Sequence, residues 1–228
     1  MDPIDLTRIR TTALRDQNRK VDTHAFAKPI SRDGSFRDFF ESLPRVLASA
    51  DLRDAVEGFV QAHARKKMVI LGMGAHPIKV GLSPVIIQLL EHGVIRAVAM
   101  NGAGVIHDLE IAMVGRTSED VEQELGSGTF GMVDETSRTI NTAIAEGQGQ
   151  GWGIGQSVAR RILTSNFPFS HMSILSTAER LGVPVTVHVA IGTDINHMHP
   201  TADGSAIGAG THRDFRVFAS LVSQLEDG

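Results

Sequence analysis

The chain has no cysteine, no tyrosine and a single tryptophan among its 228 residues. Without cysteine there is no disulfide, no thiolate nucleophile and no thiolate ligand for a metal, and a reducing compartment fits. Charge of neither sign dominates: 22 Lys and Arg stand against 26 Asp and Glu, for a formal net charge of −4. That balance gives no electrostatic reason to expect nucleic acid as a partner. Apolar runs of the roughly 20 residues needed to span a bilayer are also lacking. Met1 to Lys20 is polar and charged, without the apolar stretch of a signal peptide. These absences lead to the expectation of a soluble, cytoplasmic protein with neither membrane nor nucleic acid as partner. Lysine, finally, is missing from most of the chain: Lys20, Lys28, Lys66, Lys67 and Lys79 all lie in the first 79 residues.

What is present is ordinary for a globular domain, with 42% hydrophobic and 21% charged residues. Glycine is abundant at 23 residues, which suits tight turns and close backbone approach. Residues 1–34 read as a polar N-terminal arm. Residues 35–228 read as one α/β domain, in which two helices over 35–66 form a cover. The first of these helices starts at Ser35 and meets Pro44 inside its span; the second is expected to be capped by Asp51.

Beyond residue 66 the pattern changes. Met68-Val69-Ile70-Leu71 is a continuous apolar run ending in Gly72-Met73-Gly74, as expected of a strand buried on both faces. A helix over about 78–91 is closed by Gly93. Val94 to Met100 reads as a second strand, ending in Asn101-Gly102-Ala103-Gly104 at the start of another helix. Residues 115–133 read as a short helix between loops, and 134–146 as a helix. GQGQGWGIG follows as a flexible joint, and then come helices near 157–165 and 173–181. Val183 to Ala190 is a third strand, opening into Ile191-Gly192-Thr193-Asp194. A last helix is expected from His212 or Asp214. The predicted fold is a Rossmann-like parallel sheet with helices on both faces.

In such a sheet, ligands bind beyond the carboxyl ends of the strands. Three ends converge there: Gly72–His76, Asn101–Asp108 and Gly192–His199. Neither GMGAHP nor NGAG completes the G-x-G-x-x-G dinucleotide fingerprint, so the repetition of glycine with polar side chains carries the expectation of a small-molecule site. Histidines cluster at the same edge. His76, His107, Asp194, His197 and His199 contain the ligand types of a divalent metal site such as zinc, and the alternative reading is a metal-dependent hydrolase or lyase. His107, Asp194 and His197 are equally candidates for acid–base catalysis. Asp108 reads as a helix-terminal cap and Asp203-Gly204 as a turn.

VILGMGAHPIKVGL, VAMNGAGVIHDLE and VPVTVHVAIGTD together resemble the deoxyhypusine synthase family in order and spacing over roughly residues 60–200. The resemblance implies a domain that binds NAD and a homo-oligomer, dimer or tetramer, with sites at subunit interfaces. It implies cofactor contacts from Gly72, Gly74, His76 and Lys79 at the first turn, from Asn101, Gly102 and Ala103 at the second, and from Asp194 at the third. The chain departs from the family where Ile106 and His107 replace a pair of glutamates. It also departs in having no lysine after Lys79, where the family carries its catalytic lysine. Imine formation needs an amine, so the expectation is a deoxyhypusine synthase-like NAD-binding protein, a transferase with altered substrate or lost imine chemistry, and either a fragment or a divergent relative.

Overall fold

The computed structural model describes residues 3–225, which divide into two compact units, Met1–Gly58 and Phe59–Gly228. The first unit holds single 3-10 turns at Leu14–Asp16 and Thr23–Ala25, helix α1 (Phe36–Ser42) and the start of α2 (Ala48–Ala64). Ser35 caps α1 in a reciprocal box with Asp38. The helix ends at Ser42, so the chain is split at Pro44, the position inside the expected span that cannot continue a helix. Leu43, directly before Pro44, is extended (ψ 147°), because the proline ring clashes with a helical residue preceding it. The second helix starts at Ala48, so Asp51 lies in its first turn instead of capping it. The Arg53 guanidinium bonds the Phe40 and Leu43 carbonyls at the end of α1 and lies 4.8 Å over the Phe40 ring. None of the described residues before Phe59 is buried.

The second unit is an α/β protein: a three-stranded parallel sheet flanked by helices. Its strands are β1 (Ile70–Met73), β2 (Ala97–Asn101) and β3 (Val185–His188), hydrogen-bonded in the order β1-β2-β3. Ile70 pairs with Ala97 and Met73 with Met100; Val98 pairs with Val185 and Asn101 with His188. β2 is the middle strand, and Ala97 to Met100 are all buried. This is why its sequence is apolar without alternation. The expected first helix is split into α3 (His76–Lys79) and α4 (Ser83–Glu91). Gly81 between them takes φ 81°, a left-handed conformation that no helix continues through.

From β2 the chain runs through α5 (Gly102–Val114), α6 (Val121–Ser127), α7 (Asp134–Gly149), α8 (Ile154–Thr164) and α9 (Ile174–Leu181) before returning as β3, and it closes with α10 (Gly204–Val222). Leu109, Val158, Ile162, Ile174, Leu175 and Ile207 are fully buried with Val98 and Val187 of the sheet; each such side chain contributes about 1.5–3 kcal/mol relative to exposure. Of GQGQGWGIG, expected as a flexible joint, the first three residues end α7 and the last two begin α8, so only residues 150–153 connect the helices. Among the described residues no helix is long and apolar enough to cross a membrane.

Three aspartates fasten these helices. Asp203 is the N-cap of α10, accepting from Ser205 N (2.8 Å) and Ala206 N (3.2 Å). The last helix therefore begins eight residues before His212, and Asp203-Gly204 is a helix start and not a free turn. Asp108, fully buried inside α5, caps a different helix from the one it sits on: it accepts from Ser173 Oγ (2.5 Å), Ile174 N (2.8 Å) and Leu175 N (3.1 Å) at the start of α9. Asp214 of α10 accepts from Gly155 N and Val187 N, both at 2.9 Å, and so ties the first turn of α8 to β3. Burial pushes both Asp108 and Asp214 up to about 6, against the pull of these donors.

Candidate functional site

The carboxyl ends of β1, β2 and β3 lie on one edge because all three strands are parallel. A cleft of about 240 Å³ opens at that edge, lined by Lys79 after β1, by Ala103, Ile106, His107 and Glu110 on α5, and by Thr193, Asp194 and Ile195 after β3. Its remaining wall is Ser118, Glu119, Val121 and Phe130, from the segment around α6. The structure thus brings together four of the residues expected from sequence: Lys79, Ala103, His107 and Asp194.

Gly72, Gly74, His76, Asn101 and Gly102 are not among the residues that line this cleft. Asn101 caps α5, its Oδ1 accepting from Gly104 N at 3.1 Å. Gly74 stands beside it, with a β-carbon position 3.7 Å from Asn101 Nδ2. At Gly102 the Asp194 carboxylate lies where a side chain would be, with Cγ 2.6 Å from the β-carbon position. Burial raises the Asp194 carboxyl above its ordinary range, and the charge of His197 works against that rise.

His197 Nδ1 accepts from Gly192 N (3.1 Å) and Asp194 N (3.3 Å), which shapes the loop that delivers Asp194. His197 shares a small separate cavity with Gly102, Asp194 and Asn196. His199 bonds Asp134 Oδ1 (3.0 Å) and Thr201 Oγ1 (2.8 Å) and is not in the cleft wall. As a metal set, His76, His107, Asp194, His197 and His199 are therefore not assembled. Among the described residues no group of three or more His, Asp or Glu side chains is placed to hold a metal ion.

The residues that sequence reasoning missed are Glu110, Thr117, Ser118 and Glu119. On α5, His107 and Glu110 are three residues apart and share a face, with side chains 17% and 14% exposed. Thr117 Oγ1 lies 2.6 Å from His107 Nδ1 and donates to Glu110 Oε2. Thr136 of α7 approaches the other Glu110 oxygen at 3.4 Å. Burial pushes the Glu110 carboxyl up, but the bonds from His107, Thr117 and Thr136 and the His107 charge outweigh it, and the net direction is down. The i, i+3 spacing of His107 and Glu110 was a visible signal for this pair. For Glu119 there was none.

Glu119 Oε2 accepts from Gly131 N at 2.7 Å. Its Oε1 is buried and has no hydrogen-bond partner among the described residues. The preceding Ser118 has φ 69°, a left-handed backbone that a non-glycine residue adopts only when its surroundings hold it there. The wall opposite α5 is thus a strained turn presenting a half-satisfied carboxylate.

No family model matches the chain, and neither does any curated protein. Among solved structures it is similar to apo ArgZ, described as an arginine dihydrolase from the ornithine-ammonia cycle in cyanobacteria, at 15% identity and a TM-score of 0.49. The likeness covers 78% of this chain and 23% of that one. The chain thus spans about a quarter of the length of ArgZ, and a likeness this slight carries no functional argument.

Proposed function

We propose that the cleft binds a small cationic metabolite, one carrying an ammonium or guanidinium group on a short apolar stem. The observation that carries this reading is the buried, unpartnered Oε1 of Glu119 in a wall shared with Glu110 and Asp194. A buried carboxylate oxygen with no donor is costly, and a cation with N–H donors removes that cost. Among the described residues, Lys79 is the only basic side chain in the wall apart from His107. Ala103, Ile106, Val121, Phe130 and Ile195 supply the apolar surface for a stem. A volume of about 240 Å³ falls below the roughly 300–1,000 Å³ of pockets for drug-sized ligands and suits a metabolite of modest length.

NAD, the cofactor implied by the family resemblance, is the second reading. In its favour, α5 begins with Gly102-Ala103-Gly104 directly after β2, capped by Asn101, and helix N-termini attract phosphate. It requires Asp194 to leave Gly102 or to turn toward a ribose, because a carboxylate beside that helix start repels a pyrophosphate. One calorimetric experiment separates the two readings. Putrescine, agmatine and NAD are titrated into the protein and into Glu119→Gln. The cationic reading expects putrescine or agmatine to bind and Glu119→Gln to weaken that binding at least about tenfold, or roughly 1.4 kcal/mol. Binding of NAD with no response to either cation would overturn it.

A further inference from the structure

His107 is held so that only one of its ring nitrogens is open to a ligand. Thr117 has a single hydroxyl hydrogen, and that hydrogen goes to Glu110 Oε2. An ionised carboxylate can only accept, so the donation cannot run the other way. The Thr117 oxygen must then accept from the imidazole, and Nδ1, 2.6 Å away, must carry the proton. The chain of bonds has one direction, from Nδ1–H to the Thr117 hydroxyl to the Glu110 carboxylate. Nε2, at the other side of the ring, has no hydrogen-bond partner among the described residues, and His107 lines the cleft.

We infer that Thr117 and Glu110 hold neutral His107 as its Nδ1–H tautomer, which leaves Nε2 as the proton acceptor for the molecule bound in the cleft. His107 would be the catalytic residue, in contact with the ligand, and Thr117 a positioning residue. The nature of the proton donor rests on the cationic-ligand reading. An N–H bond of a ligand ammonium breaks, its electron pair stays on the nitrogen, and the proton forms a bond to the Nε2 lone pair. The products are a neutral amine and an imidazolium whose positive charge faces Glu110, 3.7 Å from Nδ1. A neutral amine is a nucleophile where its ammonium is not. The chain supplies this base without any lysine beyond Lys79.

The test is long-range proton–nitrogen NMR on the full chain labelled at histidine nitrogens, with the His107 signals assigned by their loss in His107→Gln. Spectra are taken at about pH 9, well above the ordinary imidazole value of about 6.5. In unmodified protein, His107 is expected with a proton-bearing Nδ1 and a bare Nε2. Thr117→Ser should keep that pattern, whereas Thr117→Val should lose it and populate the Nε2–H form. A purely structural threonine would leave the tautomer alone. An Nε2–H tautomer in unmodified protein, or a Thr117→Val spectrum unchanged from it, overturns the inference. Putrescine is then added: it should move the Nε2 resonance well before the Nδ1 resonance. Putrescine that binds by calorimetry without moving Nε2 defeats the proton-acceptor role while leaving the cationic reading in place. Putrescine that does not bind defeats that reading together with the ammonium as donor, and the tautomer is still decided by the threonine variants.

Discussion

The Asp194 carboxylate occupies the space that a side chain at Gly102 would need, its Cγ lying 2.6 Å from the β-carbon position. The glycine and the aspartate come from different strand ends, after β2 and after β3, and each makes room for the other. Gly102→Ala should therefore displace Asp194 and destabilise the fold by about 1–3 kcal/mol, the usual cost of overpacking. Adding Asp194→Gly should recover part of that loss, because it empties the contested space. Denaturant titration of both single variants and the double variant gives the coupling directly. Strict additivity would show that the two residues do not compete.

The fold was legible where burial is two-sided and local. VIRAVAM read as a strand because its apolar residues do not alternate; its second half, from Ala97, forms β2, and the run into Asn101-Gly102 placed its end at the edge where the cleft opens. The cleft itself was half legible. Ala103, His107 and Asp194 lie in strand-end segments, so topology delivers them, whereas Lys79 came only from the family resemblance. Glu119 sits in the polar stretch 115–133, read as a short helix between loops, where nothing in the sequence signals its long-range bond to Gly131 N. The start of α10 was hidden by Gly204, Gly208 and Gly210, which weaken any helical pattern. Asp108 could be read as a cap but not for α9, since Ser173 lies 65 residues away.

Asp108 makes a prediction about pH. Its carboxyl is pushed up to about 6 from an ordinary 3.8 because burial outweighs its three donors. A carboxyl raised on folding takes up its proton more readily in the folded state. Its contribution to stability is thus fully present below the unfolded value and is lost as pH rises through about 6. Between pH 8 and pH 5 this group alone should add on the order of 1.4 kcal/mol. Asp108→Asn cannot titrate and should remove that increment. It should also lower stability at every pH by about 1–3 kcal/mol, because an amide NH₂ would face backbone N–H donors. Chemical denaturation at both pH values checks the sign, and an unchanged pH slope in Asp108→Asn would contradict it.

Two glycines should respond in opposite directions to the same change. A β-carbon at Gly155 would lie 2.7 Å from the Val185 carbonyl carbon, so α8 packs against β3 only because that residue has no side chain. Gly155→Ala should cost several kcal/mol, about as much as other severe core overpacking. Gly58, inside α2, would meet nothing within 4 Å, and Gly58→Ala should stabilise by about 0.4–1 kcal/mol through the unfolded chain. Thermal melts of the two variants side by side should move in opposite directions. A shared direction would mean that one of these two environments is different from that described.

Lys79 offers the sharpest view of what the cationic ligand carries besides its cation. It stands at the end of α3, exposed, in the same wall as Glu110, Glu119 and Asp194. Toward a diamine it can only repel. Toward an amino acid with a cationic side chain it can pair with the carboxylate while Glu119 takes the far end. Lys79→Met keeps the apolar stem of the side chain and removes the charge. If the ligand is a simple amine, the variant should bind putrescine more tightly, by about two- to fivefold for the loss of one partly screened repulsion of under about 1 kcal/mol. If the ligand also bears a carboxylate, the variant should bind ornithine or lysine more weakly by at least as much, while putrescine still improves. Titrating both probes into unmodified protein and Lys79→Met therefore distinguishes the two ligand classes by the sign of the change for the amino acid. Equal affinities for both probes in both proteins would place Lys79 outside the ligand's reach, whatever Glu119 does.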